Sequence, residues 1–258
     1  DSTVHGITSA DVNHDGSLDL LVTDWTLELG WRASIGQSSS NGKDPRAASS
    51  GVCGQMSALL AQVRDADPIG QPTRSRLFLN DGTGHFTDAT TAMGLGQLNR
   101  VVGFTPQFVD LDGDGWEDLL VAGDYCTSRI FRNDGGHGFT DVTAGSGVGT
   151  DENAMGSLVA DFNGDGLPDW FVSGISGPTK DGACRSGELL IGCSGNRLYL
   201  NRGNLTFEDV SVAKGIRSSG WGWGAAYEDF GNDGRRELVV VNGYDDDSGS
   251  DERFYQPF

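Results

Sequence analysis

Short apolar blocks recur along this chain, divided from one another by Gly, Asn and Asp, and no stretch sustains the 3.6-residue period of a long helix. The most apolar blocks are Leu20 to Thr23, Leu119 to Ala122, Trp170 to Ser173 and Leu238 to Val241. Each has the length of one strand, follows directly on an acidic loop, and is preceded by another extended segment. A second kind of block is an Arg-apolar-aromatic run that enters a Gly/Asn turn and a closing strand. It occurs at Arg76-Leu77-Phe78-Leu79-Asn80 with Phe86-Thr87-Asp88, at Arg129-Ile130-Phe131-Arg132-Asn133 with Phe139-Thr140-Asp141, and at Arg197-Leu198-Tyr199-Leu200-Asn201 with Phe207-Glu208-Asp209.

Placed in register, these blocks make four copies of one unit. The acidic loops begin at Asp11, Asp110, Asp161 and Asp229, and the step from each turn Asn to the next loop is nearly constant. Self-similarity near fifty residues points to a propeller or solenoid, and four short antiparallel strands per copy is the blade of a β-propeller. The sequence therefore predicts an all-β chain forming a single propeller region over 1–258. Blade 1 spans about 3–96 with an insert at 25–73, and blade 2 about 101–149. Blade 3 spans about 154–216 with an insert at 175–194, and blade 4 about 220–258. Blade 4 is expected to be incomplete, since the chain ends where a third strand would begin, and the four repeats suit part of a seven-bladed propeller. Both inserts join second to third strands, so they project from one face, and Met56 to Arg64 suits a short helix.

The acidic loops carry the chemistry. Asp or Asn at positions 1, 3, 5 and 9, Gly at 6 and a backbone carbonyl at 7 bring several hard oxygens to one point, which suits calcium better than zinc or magnesium. The candidate ligands are Asp11, Asn13, Asp15, Asp19 and the Ser17 carbonyl; Asp110, Asp112, Asp114, Asp118 and the Trp116 carbonyl; and Asp161, Asn163, Asp165, Asp169 and the Leu167 carbonyl. In the fourth loop Gly231 removes the position-3 side chain, leaving Asp229, Asp233, Glu237 and the Arg235 carbonyl, so three strong calcium sites and one weaker one are expected. An EF-hand would need Glu at position 12, where Val22, Val121, Val172 and Val240 stand instead. Metal removal is expected to destabilise the fold, because clustered carboxylates repel one another.

The loop frame resembles the FG-GAP/VCBS repeats of integrin α-subunit propellers and secreted bacterial proteins. The Arg-Leu-Phe/Tyr-Leu-Asn and Phe-x-Asp blocks, with Gly220-Trp221-Gly222-Trp223-Gly224-Ala225-Ala226, are most similar to the cartilage acidic protein (ASPIC/UnbV-associated) family. That resemblance implies a secreted, calcium-binding propeller with adhesion or matrix roles. The C-terminal UnbV module of the family has no counterpart here.

Composition narrows the partners. A net charge of -19 disfavours nucleic acid and anionic bilayers, and no apolar run approaches a membrane span. Four cysteines, Cys53, Cys126, Cys184 and Cys193, suggest two disulfides and an oxidising compartment, with the pairing open. Asn204-Leu205-Thr206 is a glycosylation sequon at a hairpin tip. His5, His14, His85 and His137 show no metal or triad spacing, and no catalytic residue is assigned. Trp221 and Trp223 suit packing between blades, and Gly6, Gly156 and Gly224 suit strands crowded at an axis. The acidic stretch Asp245 to Asp247 with Asp251 and Glu252 reads as a solvated loop. The expected function is a secreted or surface, non-enzymatic recognition module for a protein or glycan at the insert-bearing face. The alternatives are a structural subunit of a self-assembling extracellular filament and a metal-dependent carbohydrate-active enzyme.

Overall fold

The computed structural model describes residues 4–25, 75–176 and 195–242. The fold is all-β. The first sheet comprises β1 (Val4–Ala10), β2 (Asp19–Asp24), β3 (Arg76–Asn80) and β4 (Phe86–Asp88), and the second β5 (Val102–Val109), β6 (Asp118–Asp124), β7 (Arg129–Asn133) and β8 (Phe139–Asp141). The third comprises β9 (Ala154–Ala160), β10 (Asp169–Gly174), β11 (Arg197–Asn201) and β12 (Phe207–Asp209), while β13 (Gly222–Glu228) and β14 (Glu237–Asn242) form a two-stranded sheet. All pairings are antiparallel between sequential neighbours, and a short 3-10 helix, Leu95–Arg100, leads into β5. Apart from Trp25, Ile175 and Ser176, the two inserts lie outside the described residues, as do the Met56 to Arg64 segment, Cys53, Cys184, Cys193 and the acidic stretch after Tyr244.

The second strands of the second and third sheets, β6 and β10, are apolar without alternation because both of their faces are covered. In β6, Leu119 and Val121 turn back to pack with Leu21 and Leu77 of the first sheet, whereas Leu120 and Ala122 face forward to Trp170, Val172 and Tyr199 of the third. Phe171 and Leu198 then meet Leu238 and Val240 of the fourth. The cross-strand pairs Leu20↔Phe78, Leu119↔Phe131 and Trp170↔Tyr199 repeat one register, which brings the turn Asn of each third strand beside the base of its acidic loop.

First strands lie innermost, where neighbouring blades touch through backbone. Thr23 Oγ1 donates to the Phe104 carbonyl (3.0 Å) and Thr105 Oγ1 to the Met155 carbonyl (2.8 Å). Glycine is required at two of these approaches: a Cβ on Gly6 would stand 2.0 Å from the Phe104 oxygen, and one on Gly156 2.5 Å from the Trp223 oxygen. Phe104, Met155 and Ile175 are buried there with Trp25 and Trp221 against them, and Trp223 meets the Phe104 ring edge-on at 5.7 Å. Trp221 therefore packs between blades, whereas Trp223 touches Phe104 and remains 39 % exposed.

The Arg and Asp of the repeated blocks also find their reason. Arg76, Arg129 and Arg197 pair across the sheet with Asp88, Asp141 and Asp209. The same three aspartates accept the N–H of Thr90, Thr143 and Ser211, whose hydroxyls in turn accept the N–H of Leu77, Ile130 and Leu198. Each closing strand is thus tied to the third strand beyond its own short ladder.

Candidate functional site

Each acidic loop connects a first strand to a second and winds around its position-1 carboxylate. Asp110 accepts the N–H groups of Gly113 (2.8 Å) and Asp114 (3.2 Å) on one oxygen and that of Gly115 (2.9 Å) on the other. Asp161 does the same with Gly164, Asp165 and Gly166, Asp11 with Asp15 and Gly16, and Asp229 with Asp233 and Gly234. At position 5, Asp15, Asp114, Asp165 and Asp233 accept the N–H of position 7, which fixes the strand entry. The turn requires positive φ at the position-6 glycines Gly16, Gly115, Gly166 and Gly234. These bonds hold Asp161 and Asp15 below the usual carboxylate range, through the Gly166 N–H for the first and the Asn13 side chain for the second.

The oxygens converge as a hard cation requires. In the second loop Asp110, Asp112 and Asp114 offer carboxylate oxygens within 4.8 Å of one another, the span of two ligands at about 2.4 Å from a shared calcium ion. The first and third loops place Asn13 and Asn163 at position 3, and each side chain donates to the position-5 carboxylate. In the fourth loop Asp229, Asp233 and Glu237 converge within the same 4.8 Å. Glu237 comes beside the position that Gly231 leaves without a side chain: its Oε1 lies 3.7 Å from where a Cβ on that residue would be, an ordinary contact distance. The loop that looks the poorest in sequence thus still gathers three carboxylates. Carboxylates accept at about four lone-pair directions, so the N–H bonds leave room for a metal. The donor set fits calcium, with Asp110, Asp112 and Asp114, or Asp229, Asp233 and Glu237, as its carboxylates.

Position 9 is the most deeply set of the candidate ligands in the first three loops. Asp19, Asp118 and Asp169 are fully buried, and Asp118 does not join the three carboxylates that converge in its loop. One oxygen of each accepts the N–H of its own loop's position 2, Val12 (3.1 Å), Leu111 (3.1 Å) or Phe162 (2.9 Å). The other accepts the N–H of the turn Asn of the third strand, Asn80 (2.9 Å), Asn133 (2.9 Å) or Asn201 (2.8 Å). Burial pushes the Asp118 carboxyl up to about 7 and raises Asp19 and Asp169 as well, against the pull of these N–H groups.

Two further residues belong to the site although sequence spacing did not single them out. Asn133 donates its amide to the Glu117 carbonyl (3.2 Å) and, across the blade junction, to the Val12 carbonyl (3.0 Å). Asn201 donates to the Pro168 carbonyl (3.1 Å) and across the next junction to the Leu111 carbonyl (2.8 Å). The recurrence of Asn at the end of each third strand was the available signal, but a turn residue accounts for it equally well. The His14 ring stacks on Trp116 of the next loop with centroids 3.8 Å apart. Of the remaining candidates, Cys126 is disulfide-bonded, and Asn204 is exposed with φ 51 at the tip between β11 and β12.

Comparison with curated proteins gives no match. A family model described as an FG-GAP-like repeat matches residues 66–121, 110–172 and 188–240, so that three matches in succession take in the second, third and fourth acidic loops. The chain belongs to the FG-GAP-like repeat family.

Proposed function

We propose that this chain is a calcium-stiffened propeller of an extracellular or cell-surface protein that acts as a non-enzymatic recognition module for a protein or glycan. The observation that carries it is the convergence of oxygen-only side chains in loops of one design, with Asp110, Asp112 and Asp114 as the clearest set. The calcium chemistry falls to the loops and the recognition to the inserts between β2 and β3 and between β10 and β11, which leave the opposite ends of the second strands. The disulfide at Cys126 supports an oxidising compartment. No helix among the described residues is long and apolar enough to cross a membrane. The likeness of the Arg-Leu-Phe/Tyr-Leu-Asn and Gly-Trp-Gly-Trp-Gly blocks to the cartilage acidic protein family supports a matrix or adhesion role.

The test is thermal unfolding with calcium and with excess EDTA, alongside native mass spectrometry of the loaded chain. Calcium is expected to raise Tm markedly and to appear as several bound ions. An identical melt in both conditions with no bound ion would overturn the calcium role. A glycan array and a pull-down with insert-deleted protein then test recognition, and turnover of a carbohydrate would favour the enzymatic alternative.

One observation favours the filament alternative. Ile7 (63 % exposed), Phe230 (58 %) and Val241 (55 %) lie open on the first and fourth sheets. Of the counterparts of Phe230 in earlier loops, Val12 and Leu111 are fully buried beneath the following blade and Phe162 is partly buried. Association that persists on dilution, measured by light scattering and lost in Phe230→Ser, would support it.

A further inference from the structure

We propose that the first three acidic loops load calcium as a coupled set, with Asn133 and Asn201 as the positioning residues that couple them. This inference rests on the calcium reading above and adds how the sites act on one another.

An unbroken hydrogen-bonded path crosses both blade junctions. Asp19 accepts the Val12 N–H, the Val12 carbonyl accepts the Asn133 amide, and the Asn133 N–H donates to Asp118. Asp118 accepts the Leu111 N–H, the Leu111 carbonyl accepts the Asn201 amide, and the Asn201 N–H donates to Asp169. Val12, Leu111, Asp19, Asp118, Asp169 and Asn201 are all fully buried, so water cannot substitute for a lost partner and each bond keeps its full value.

The path grips each loop where loading must move it. Val12 lies between the candidate ligands Asp11 and Asn13, and Leu111 between Asp110 and Asp112. Closing the first loop around an ion fixes Val12. That fixes the Asn133 amide, whose N–H places Asp118, which in turn pins Leu111 between two ligands of the second loop. The first junction has a second tie: His14 stacks on Trp116, whose carbonyl is a candidate ligand, and a Cβ on Gly136 would stand 2.6 Å from the Trp116 ring. Gly136 thus admits the indole between two blades. Ordering one loop reduces what the next must still order, which yields positive coupling without any change of fold.

The first junction can be read directly, because Trp116 should sensitise terbium bound in the second loop. Terbium is titrated into the wild-type chain, into Asp11→Ala and into the near-isosteric Asp15→Asn, which covers the case in which Asp11→Ala fails to fold. Disabling the first loop is expected to weaken terbium binding in the second about 5-fold or more. Asp112→Asn should weaken the first loop by the same factor, read as the stepwise calcium occupancy in native mass spectra. In an Asn133→Ala background the factor should collapse towards unity. Asn80→Ala, which removes the amide bond to the Leu18 carbonyl and the acceptor of the Gly82 N–H, both within its own blade, should leave it intact. Full stoichiometry with independent sites in the wild type would overturn the coupling and spare the calcium reading. An equal loss of coupling in Asn80→Ala would overturn the role of Asn133. Absence of bound terbium and calcium altogether would overturn both.

Discussion

Asp118→Ala separates the ligand duty that sequence spacing assigns to this carboxylate from the clamping that its hydrogen bonds provide. As a ligand, position 9 would contribute only when metal is bound. As a clamp, Asp118 supports the fold whether or not metal is present, because its two oxygens satisfy the N–H groups of Leu111 and Asn133 inside a region closed to water. Truncation strands both donors, and a buried unsatisfied backbone group costs about 1–3 kcal/mol, so the expected loss is about 2–6 kcal/mol. That is a large share of the roughly 5–15 kcal/mol that stabilises an ordinary domain.

Denaturant unfolding across a calcium series distinguishes the two duties. Each filled site adds about 1.4 kcal/mol of stability for every tenfold rise in free calcium above its Kd. If Asp118 is a clamp, Asp118→Ala lies well below wild type already without calcium, by the cost of the two stranded N–H groups, and only the smaller loss of coupling between loops is added as calcium rises. A variant line that meets the wild-type line at low calcium and falls away as calcium rises would refute the clamp and return Asp118 to the ligand set. Asp112→Asn is the reference for a ligand, and its line should be the shallower one.

Three other outcomes are expected. Gly156→Ala sets a methyl 2.5 Å from the Trp223 carbonyl at the crowded axis, and should cost about 1–3 kcal/mol in chemical denaturation; Gly96→Ala, with open space around it, should cost far less. Burial pushes Asp124 up to about 6 despite the N–H groups of Trp25, Asn153 and Tyr125, so the folded state holds an extra proton between about pH 4 and 6. That contribution is favourable below the unfolded pKa and is lost as pH rises to about 6. The Tm advantage of wild type over Asp124→Asn should therefore shrink across that window and stay level above it, and a flat difference would count against this assignment. Finally, Arg197→Ala removes a buried guanidinium that pairs with Asp209 (3.3 Å) and reaches the Thr150 carbonyl (3.1 Å), at a cost of about 2 kcal/mol or more. Arg132→Ala breaks only the solvent-exposed pair with Asp134, and should cost less than about 1 kcal/mol.

Much of the architecture could be read in the sequence because the unit is repeated. One acidic loop is an ambiguous turn, but four in register fix the order of strands, and the apolar run Leu119 to Ala122 can lie only between two covered faces. What could not be read is whatever depends on contact between repeats. Nothing in the spacing of Asn133 shows that its amide crosses to Val12. His14 looked like one of four scattered histidines until the packing of two blades set it on Trp116. Spacing records the period of the blade, whereas the junctions depend on the angle between blades.

Burial decides how the acidic residues divide their work. A carboxylate within a well-packed junction is costly unless its oxygens are occupied, and in the first three loops backbone N–H groups from two different elements occupy them at position 9. Positions 1, 3 and 5 lie towards solvent, where a carboxylate can keep lone pairs free for an ion. The fourth loop tests this division from within the molecule. Glu237 keeps the position-2 bond, accepting the Phe230 N–H at 2.8 Å, yet its carboxylate also joins Asp229 and Asp233 in the convergent set. The residue that departs from the pattern therefore combines the two duties that Asp19, Asp118 and Asp169 keep apart. Glu237→Asp should shift the fourth loop towards the clamp alone, reducing its calcium affinity in a titration while leaving the stability in EDTA nearly unchanged. A loss of stability equal with and without calcium would show instead that Glu237 serves only as a clamp.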